Sequence, residues 1–417
     1  MPNASLGNAY RRLWTAAGLS SLADGSLKVA LPLVAVGFTR SPALIAGLGF
    51  AFTLPWLLFA LPVGALVDRL DRRRAMLGAN IARASLVAVL VLWVLLGTGS
   101  IWALYGIAIC VGVAETIYDT SAQSIVPQIV RRDRLPRANG RLYAAELMAS
   151  EFAGPPLAGF LVSAGVALAF AVPVALWVVA VVGLLLVRGS FRVERDRRTT
   201  LRSEIVEGLR FLWHNRLLRI FAMMGGVFNF ASSATLTVFV LYAVGPASAM
   251  GLSEAAFGVL LTMFAAGSLC GSFVAERVER RLGRARTLAL SFGCGVLPFG
   301  IPALTANPIL IGAVFFVGGA GIIVSNVVVV SLRQRITPDR LLGRLSSAFR
   351  LVSWGTRPLG AAAGGLLAQL FGLRAMFAVM GVLALAVLAG LRGVTDEVMS
   401  AAERDADRVS EGRTSAG

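Results

Sequence analysis

Apolar residues dominate twelve stretches of this chain, at about 13–38, 43–67, 75–96, 101–123, 141–163, 166–187, 218–243, 253–275, 287–304, 309–331, 345–371 and 374–393. Short polar turns separate most of them. A helix crossing a membrane needs about 20 mostly apolar residues. The pattern predicts an all-α polytopic membrane protein of twelve transmembrane helices. Arg11 and Arg12 precede the first stretch as in a signal sequence, but it is too long and carries Asp24 and Lys28, so it reads as a mature span. One long internal segment, 188–217, is rich in charge, and its part 204–213 has apolar residues at helical spacing. It predicts an amphipathic helix on the membrane surface. The expected organisation is a six-helix bundle over 1–187, a linker over 188–217, a second six-helix bundle over 218–395, and a disordered tail over 396–417.

Composition agrees. The hydrophobic fraction is 57% and the charged fraction 15%, against roughly 45–50% and 25% in soluble domains. A formal charge of +17 would suggest nucleic acid if it were clustered on a folded surface. Here the basic residues lie between apolar runs. Apart from Lys28, Arg83 and Arg357 inside spans, all but Arg40 and Arg374 fall in loops of one parity. By the positive-inside rule that parity is cytoplasmic, with both termini on that side. The expected setting is the inner or plasma membrane, with the lipid bilayer as partner, no nucleic acid, and a monomeric chain.

Other chemistries lack their residues. Lys28 is the sole lysine and follows Leu27, so no phosphate-binding Gly-Lys-Ser/Thr loop exists. His214 is the sole histidine and lies in a polar segment, which removes metalloprotease and Ser/His hydrolase chemistry. No cofactor, metal or catalytic residue is expected. Cys110, Cys270 and Cys294 sit far apart in apolar runs and read as buried reduced thiols.

The chain repeats itself at half-length. Gly140-Arg141-Leu142 is followed by Pro155, and Gly343-Arg344-Leu345 by Pro358, each fifteen residues after the glycine, at an offset of 203. Gly64 and Gly271 form a second echo at 207, each before an Arg-rich turn. Small residues flank both prolines: Gly154, Pro156, Ala158 and Gly159 in the fifth span, Gly360, Ala361, Gly364 and Gly365 in the eleventh. Two pseudosymmetric six-helix bundles explain the repeat, and transporters of this kind bind substrate near the midplane. The prolines bend their helices, and the small residues serve packing or the rocking of one bundle on the other.

Residues 64–76, Gly-Ala-Leu-Val-Asp-Arg-Leu-Asp-Arg-Arg-Arg-Ala-Met, resemble the loop between helices 2 and 3 that marks the major facilitator superfamily, with Asp71 where the family usually has glycine. The later copy at 271–286 is degraded and has Ala275 at the acidic position. Residues 150–156, Ser-Glu-Phe-Ala-Gly-Pro-Pro, resemble the Gly-Pro motif of helix 5 in antiporters. Residues 22–25, 126–140 and 207–213 are similar to the drug:proton antiporter branch that holds macrolide and enterobactin exporters. The resemblance implies Gly64, Asp68, Arg69, Arg72, Arg73, Gly154, Pro155 and Pro358 as the conformational-switch motif. One departure matters, because the helix 4 arginine of many relatives is absent and Glu115 and Asp119 occupy that helix.

Ionisable groups cost several kcal/mol at the bilayer centre and are therefore functional candidates. The acids within spans are Asp24, Glu115, Asp119, Glu146 and Glu151, all in the first half. Asp24 and Lys28 are four apart and can pair on one helical face. Glu115 and Asp119 are also four apart, and two carboxylates that close resist simultaneous ionisation. They read as a proton site, although Asp119 could instead pair with Arg83. Glu151, next to the Gly-Pro bend, is a second proton candidate. Arg357 could bind an acidic substrate group or neutralise Glu151. Tyr118, Met224, Phe228, Asn229, Phe230 and Asn326 are expected to line the cavity. The expectation is a proton-coupled exporter of drugs or amphiphilic metabolites, with a dedicated siderophore or lipid exporter as the alternative. A nontransporting membrane sensor is the reading from another class.

Overall fold

The computed structural model describes residues 7–97, 100–131, 134–187, 189, 191 and 201–404. In chain order the helices are α1 (Asn8–Ala35), α2 (Pro42–Arg69), α3 (Arg72–Leu95), α4 (Ile101–Ile129), α5 (Leu135–Leu147), α6 (Gly154–Ala164), α7 (Val166–Leu185) and α8 (Leu201–His214). There follow α9 (Arg216–Ala243), α10 (Glu254–Leu282), α11 (Arg284–Leu304), α12 (Pro308–Ile336), α13 (Asp339–Trp354), α14 (Arg357–Phe371) and α15 (Leu373–Ala386). Residues 396–404 form α16.

Turn chemistry sets many of the boundaries. Ser41, Ser100 and Asn307 accept hydrogen bonds from the first free N–H groups of α2, α4 and α12, and Pro42 and Pro308 start two of these helices where no N–H is needed. Gly283 and Gly372, with φ of 78° and 86°, reverse the chain in one residue between α10 and α11 and between α14 and α15.

Among the described residues nine helices are long and apolar enough to cross a membrane: α2, α3, α4, α7, α9, α10, α11, α12, and α15 with the 3₁₀ turn that extends it to Gly393. Only 28–50% of each apolar window is buried inside the protein. The rest of each window is at least partly exposed, the pattern expected when lipid is the solvent. Three predicted spans differ. α1 is unbroken but carries Arg11, Arg12, Asp24 and Lys28. The fifth is split into α5 and α6 by a π-helical turn, Met148–Ala153, in which Gly154 N–H bonds the carbonyl of Ala149. Pro155 and Pro156 cause this, since neither can donate to the carbonyls of Glu151 and Phe152. The eleventh stops at Trp354 and restarts as α14 with Pro358 in its first turn.

The chain forms two compact units, one of residues 1–197 and 239–262, the other of 198–238 and 263–417. The ends of α9 and α10 thus group with the first. Close backbone approach explains it: a Cβ on Gly258 would strike the Pro155 carbonyl, and one on Gly159 would strike Glu254. The first unit has a core of Tyr10, Leu13, Met76, Tyr118, Ile125 and Leu184, the second a core of Leu212, Phe221, Met224, Leu288, Leu345 and Met399.

Three expectations need correction. α8 does not simply lie on a surface: Gly208 seats it on the backbone of Arg344 in α13, Glu207 pairs with Arg344, and Leu212 is fully buried. The start of the tail is ordered as α16, because Met399 is fully buried and Glu403 bonds Arg284 at 2.8 Å. The cysteines are free, but Cys110 and Cys270 are exposed rather than buried.

Candidate functional site

The charges of the first unit are sorted by helix rotation. α1 presents Ser20 and Asp24 one turn apart toward α3, which answers with Asn80 and Arg83. Arg83 is 0% exposed and Asp24 6%. One guanidinium nitrogen donates to both carboxylate oxygens of Asp24, at 2.6 and 2.8 Å. The other donates to Ser20 Oγ at 3.1 Å and to Asn80 Oδ1. The guanidinium also lies between the rings of Tyr118 at 4.6 Å and Trp177 at 5.4 Å. A buried charge needs this kind of enclosure, a carboxylate partner, polar acceptors and aromatic faces; of the guanidinium nitrogens only Arg83 Nε is left without a hydrogen bond among the described residues.

Lys28, one turn further along α1, does not pair with Asp24 as its spacing predicts. Its Nζ lies 2.8 Å from Glu115 Oε1 in α4 and 5.6 Å from the ring centre of Phe52 in α2. Asp24 is already held by the Arg83 guanidinium. Nor does Arg83 serve Asp119, since Asp24 takes that role. The exchange leaves a clear remainder. Asp119, Glu146 and Glu151 make no hydrogen bond or ion pair among the described residues, and Asp119 and Glu151 are exposed. Asp119 is one turn from Glu115, so a proton or a cation near one carboxylate acts on both.

Backbone contact ties the broken helix to this cluster. A Cβ on Gly25, between Asp24 and Lys28, would collide with the Ser150 backbone, and one on Gly154 would sit 2.8 Å from Gly25. The π turn carrying Glu151 thus rests directly on the charged turn of α1. The freed carbonyl of Phe152 is 3.5 Å from the Thr262 hydroxyl, which supplies what Pro156 cannot. Pro155 and Gly154 are buried in this contact.

In the second unit Arg357 donates from Nε to Asn229 Oδ1 at 2.8 Å and lies 4.8 Å from the Trp354 ring. Pro358 is buried, and α14 packs on α9 through Gly360 against the Phe230 backbone. Phe228 meets Phe299 edge-on at 5.0 Å, and Asn326 is exposed. Two expected wall residues are core instead: Tyr118 is 2% exposed beneath Arg83 and Met224 is 4% exposed in the second core.

At the Arg-rich turn, Gly64, Asp68 and Arg69 end α2, and the side chains of Asp68 and Arg69 lie outside the described residues. Arg73 donates to the carbonyls of Leu184 and Leu185 at 2.9 and 2.8 Å, capping α7, and Arg72 bonds the Phe191 carbonyl at 3.3 Å. Asp71, where the family usually has glycine, accepts from Arg74 N–H at 3.0 Å and from Phe191 N–H at 2.7 Å. Burial alone would raise its carboxyl; these backbone donors outweigh that and hold it below the usual range. The partners Ser20, Asn80 and Trp177 and the cap role of Asp71 are not foreseen from the sequence, while Arg83 is foreseen as an intramembrane base but with Asp119, not Asp24, as its partner. Ser20 and Asp24 four apart, with Asn80 and Arg83 three apart, were the available signal.

Comparison with known proteins gives one answer. The model of the transmembrane secretion effector family matches residues 4–413. The enterobactin exporter EntS of Shigella boydii is 27% identical over 395 residues, covering 92% of each chain. The multidrug efflux pump Tap of Mycobacterium tuberculosis is 28% identical over 411 residues, covering 90% of this chain and 91% of Tap. A mutant of the nucleoside transporter NupG shares the fold at a TM-score of 0.74 with 12% identity, over 92% of this chain and 99% of that one. The chain therefore belongs to the transmembrane secretion effector family of the major facilitator superfamily, and is a multi-pass membrane transporter of the efflux type, not an enzyme.

Proposed function

We propose that the chain exports drugs or amphiphilic metabolites in exchange for protons, and that Asp119 is the principal proton site. The observation that carries this is the charge remainder of the first unit: Asp24 is neutralised by Arg83 and Glu115 by Lys28, while Asp119 has no partner among the described residues. An unpaired carboxylate within a membrane helix costs several kcal/mol and has a use. Glu146 and Glu151 add proton or cation sites along the same unit. The scheme has twelve spans in two pseudosymmetric bundles, and the Arg-rich ends and both termini face the cytoplasm. Substrate enters from that side while Asp119 is ionised; protonation after the outward switch releases it. The names of the relatives, a multidrug pump and a siderophore exporter, support both a broad and a dedicated substrate range. Arg357, oriented by Asn229 and Trp354, suits an acidic group and favours the second reading where the cargo is anionic.

The test expresses the chain in an efflux-deficient bacterium and challenges it with ethidium, Hoechst 33342, macrolides and a catecholate siderophore, with and without a protonophore. Protonophore-sensitive export that disappears in Asp119→Asn is expected. Export that ignores the protonophore and survives Asp119→Asn would sink the proposal.

A further inference from the structure

Where α2 and α3 diverge above α4, the first unit has a groove of about 810 Å³ that contains none of the buried charges described above. That volume is within the roughly 300–1,000 Å³ usual for ligand sites. Its walls are small and apolar: Gly78 and Ala82 on α3, Cys110 and Val113 on α4, Leu66 on α2. Gly78, Ala82, Cys110 and Leu66 are all exposed, and nothing lies within 4 Å of where a Gly78 Cβ would be. The groove is thus an open channel in an apolar, membrane-exposed flank. Its polar end is basic. Arg73 and Arg74 stand there with Asp71. Asp71 directs its two oxygens at the N–H groups of Arg74 and Phe191, and Arg73 at the carbonyls that end α7. Arg74 is exposed, its side chain makes no hydrogen bond among the described residues, and its charge acts through space on the Asp71 carboxylate.

We propose that this groove binds one anionic phospholipid, with its phosphate on the Arg74 guanidinium and an acyl chain laid along Gly78, Ala82 and Cys110. The eight residue steps from Arg74 to Ala82 give a run of about 12 Å, enough to bury the upper part of a chain. A soluble anion would find one exposed arginine beside the Asp71 carboxylate. A lipid adds the apolar contact that the walls are shaped for, and the bilayer supplies it at high local concentration. The choice of an anionic head follows from the charge at the mouth. One basic residue near an anionic membrane surface favours binding about five-fold.

Cys110 on the groove floor reports occupancy. The full chain carrying Cys270→Ala and Cys294→Ala is purified in detergent, and the rate of Cys110 alkylation by N-ethylmaleimide is followed as dioleoylphosphatidylglycerol or dioleoylphosphatidylcholine is added to the micelles. Phosphatidylglycerol should slow alkylation at about five-fold lower lipid than phosphatidylcholine. Arg74→Ala should bring the two lipids together, Arg74→Lys should keep most of the difference, and Gly78→Leu should remove lipid dependence with the charge intact. Size-exclusion profiles matching the parent establish that each variant is folded. Equal protection by the two lipids in the parent, a preference that survives Arg74→Ala, or equal protection by millimolar inorganic phosphate would each overturn the assignment.

Discussion

Arg83→Leu is the most informative single change in the first unit. The guanidinium it removes is 0% exposed, bonds Asp24 at 2.6 and 2.8 Å, and lies between two aromatic rings at 4.6 and 5.4 Å. Leucine replaces the packing in part but leaves Asp24 buried without its partner. Removing one member of a buried pair costs about 3–5 kcal/mol, whereas replacing both with apolar residues is often neutral. For a unit of this size each kcal/mol moves the melting temperature by roughly 2–4 °C, so Arg83→Leu should lower it by about 6–20 °C. The double variant Asp24→Leu with Arg83→Leu should recover more than half of that loss. Thermal unfolding of the purified full chain, read by tryptophan fluorescence and by the folded peak on size exclusion, gives both numbers. A shift under about 2 °C for the single variant, the range of an ordinary surface substitution, would refute the reasoning. So would a double variant no better than the single.

Other consequences are equally direct. Asp71→Ala removes a helix cap and should cost about 1 kcal/mol at neutral pH. The native carboxyl is held below its unfolded value of about 3.9, so this stabilisation is present above that pH and is lost as pH falls through the folded value. Melting curves of parent and variant should therefore converge below about pH 4, and a gap independent of pH contradicts the cap. Gly25→Ala places a methyl group on the Ser150 backbone and should destabilise by roughly 1–3 kcal/mol; a neutral outcome in the same assay means the α1 contact with the π turn is looser than described. Ending the chain at Thr395 deletes α16 with buried Met399, whose burial alone is worth about 1.5–3 kcal/mol. The melting temperature should fall by several degrees, and an unchanged value would mean that α16 is not docked.

Much of this architecture was legible in the residue pattern, for physical reasons. Long apolar runs admit few structures in lipid, so the helices could be placed from composition alone. The breaks at Pro155 and Pro358 were signalled by residues that cannot donate an N–H. What spacing could not give was partner choice. Asp24 and Lys28 satisfy the i, i+4 rule, yet Arg83 from α3 reaches Asp24 first, and only the rotation of α3 against α1 decides that. Lys28 is then free to meet Glu115. Asp71 looked like a departure from the family motif, and its role depends on a backbone N–H at Phe191, 120 residues away. Tyr118 and Met224 are the types that line amphiphile cavities, but one shields Arg83 and the other fills a core. The order at the start of the tail is hard to read from sequence because its anchors, buried Met399 and the pair of Glu403 with Arg284, depend on partners more than 100 residues away.

The claim that matters most is that Asp119, left over when two ion pairs form, couples export to protons. Everted membrane vesicles holding an acid interior and a pH-sensitive dye test it with the compound that is exported most strongly in the efflux screen. Adding that compound to the parent should release protons from the vesicles. Asp119→Asn should still bind the compound and release none, while Lys28→Arg, which keeps the pair with Glu115, should behave as the parent does. Proton release from Asp119→Asn at the parent's rate would contradict the account.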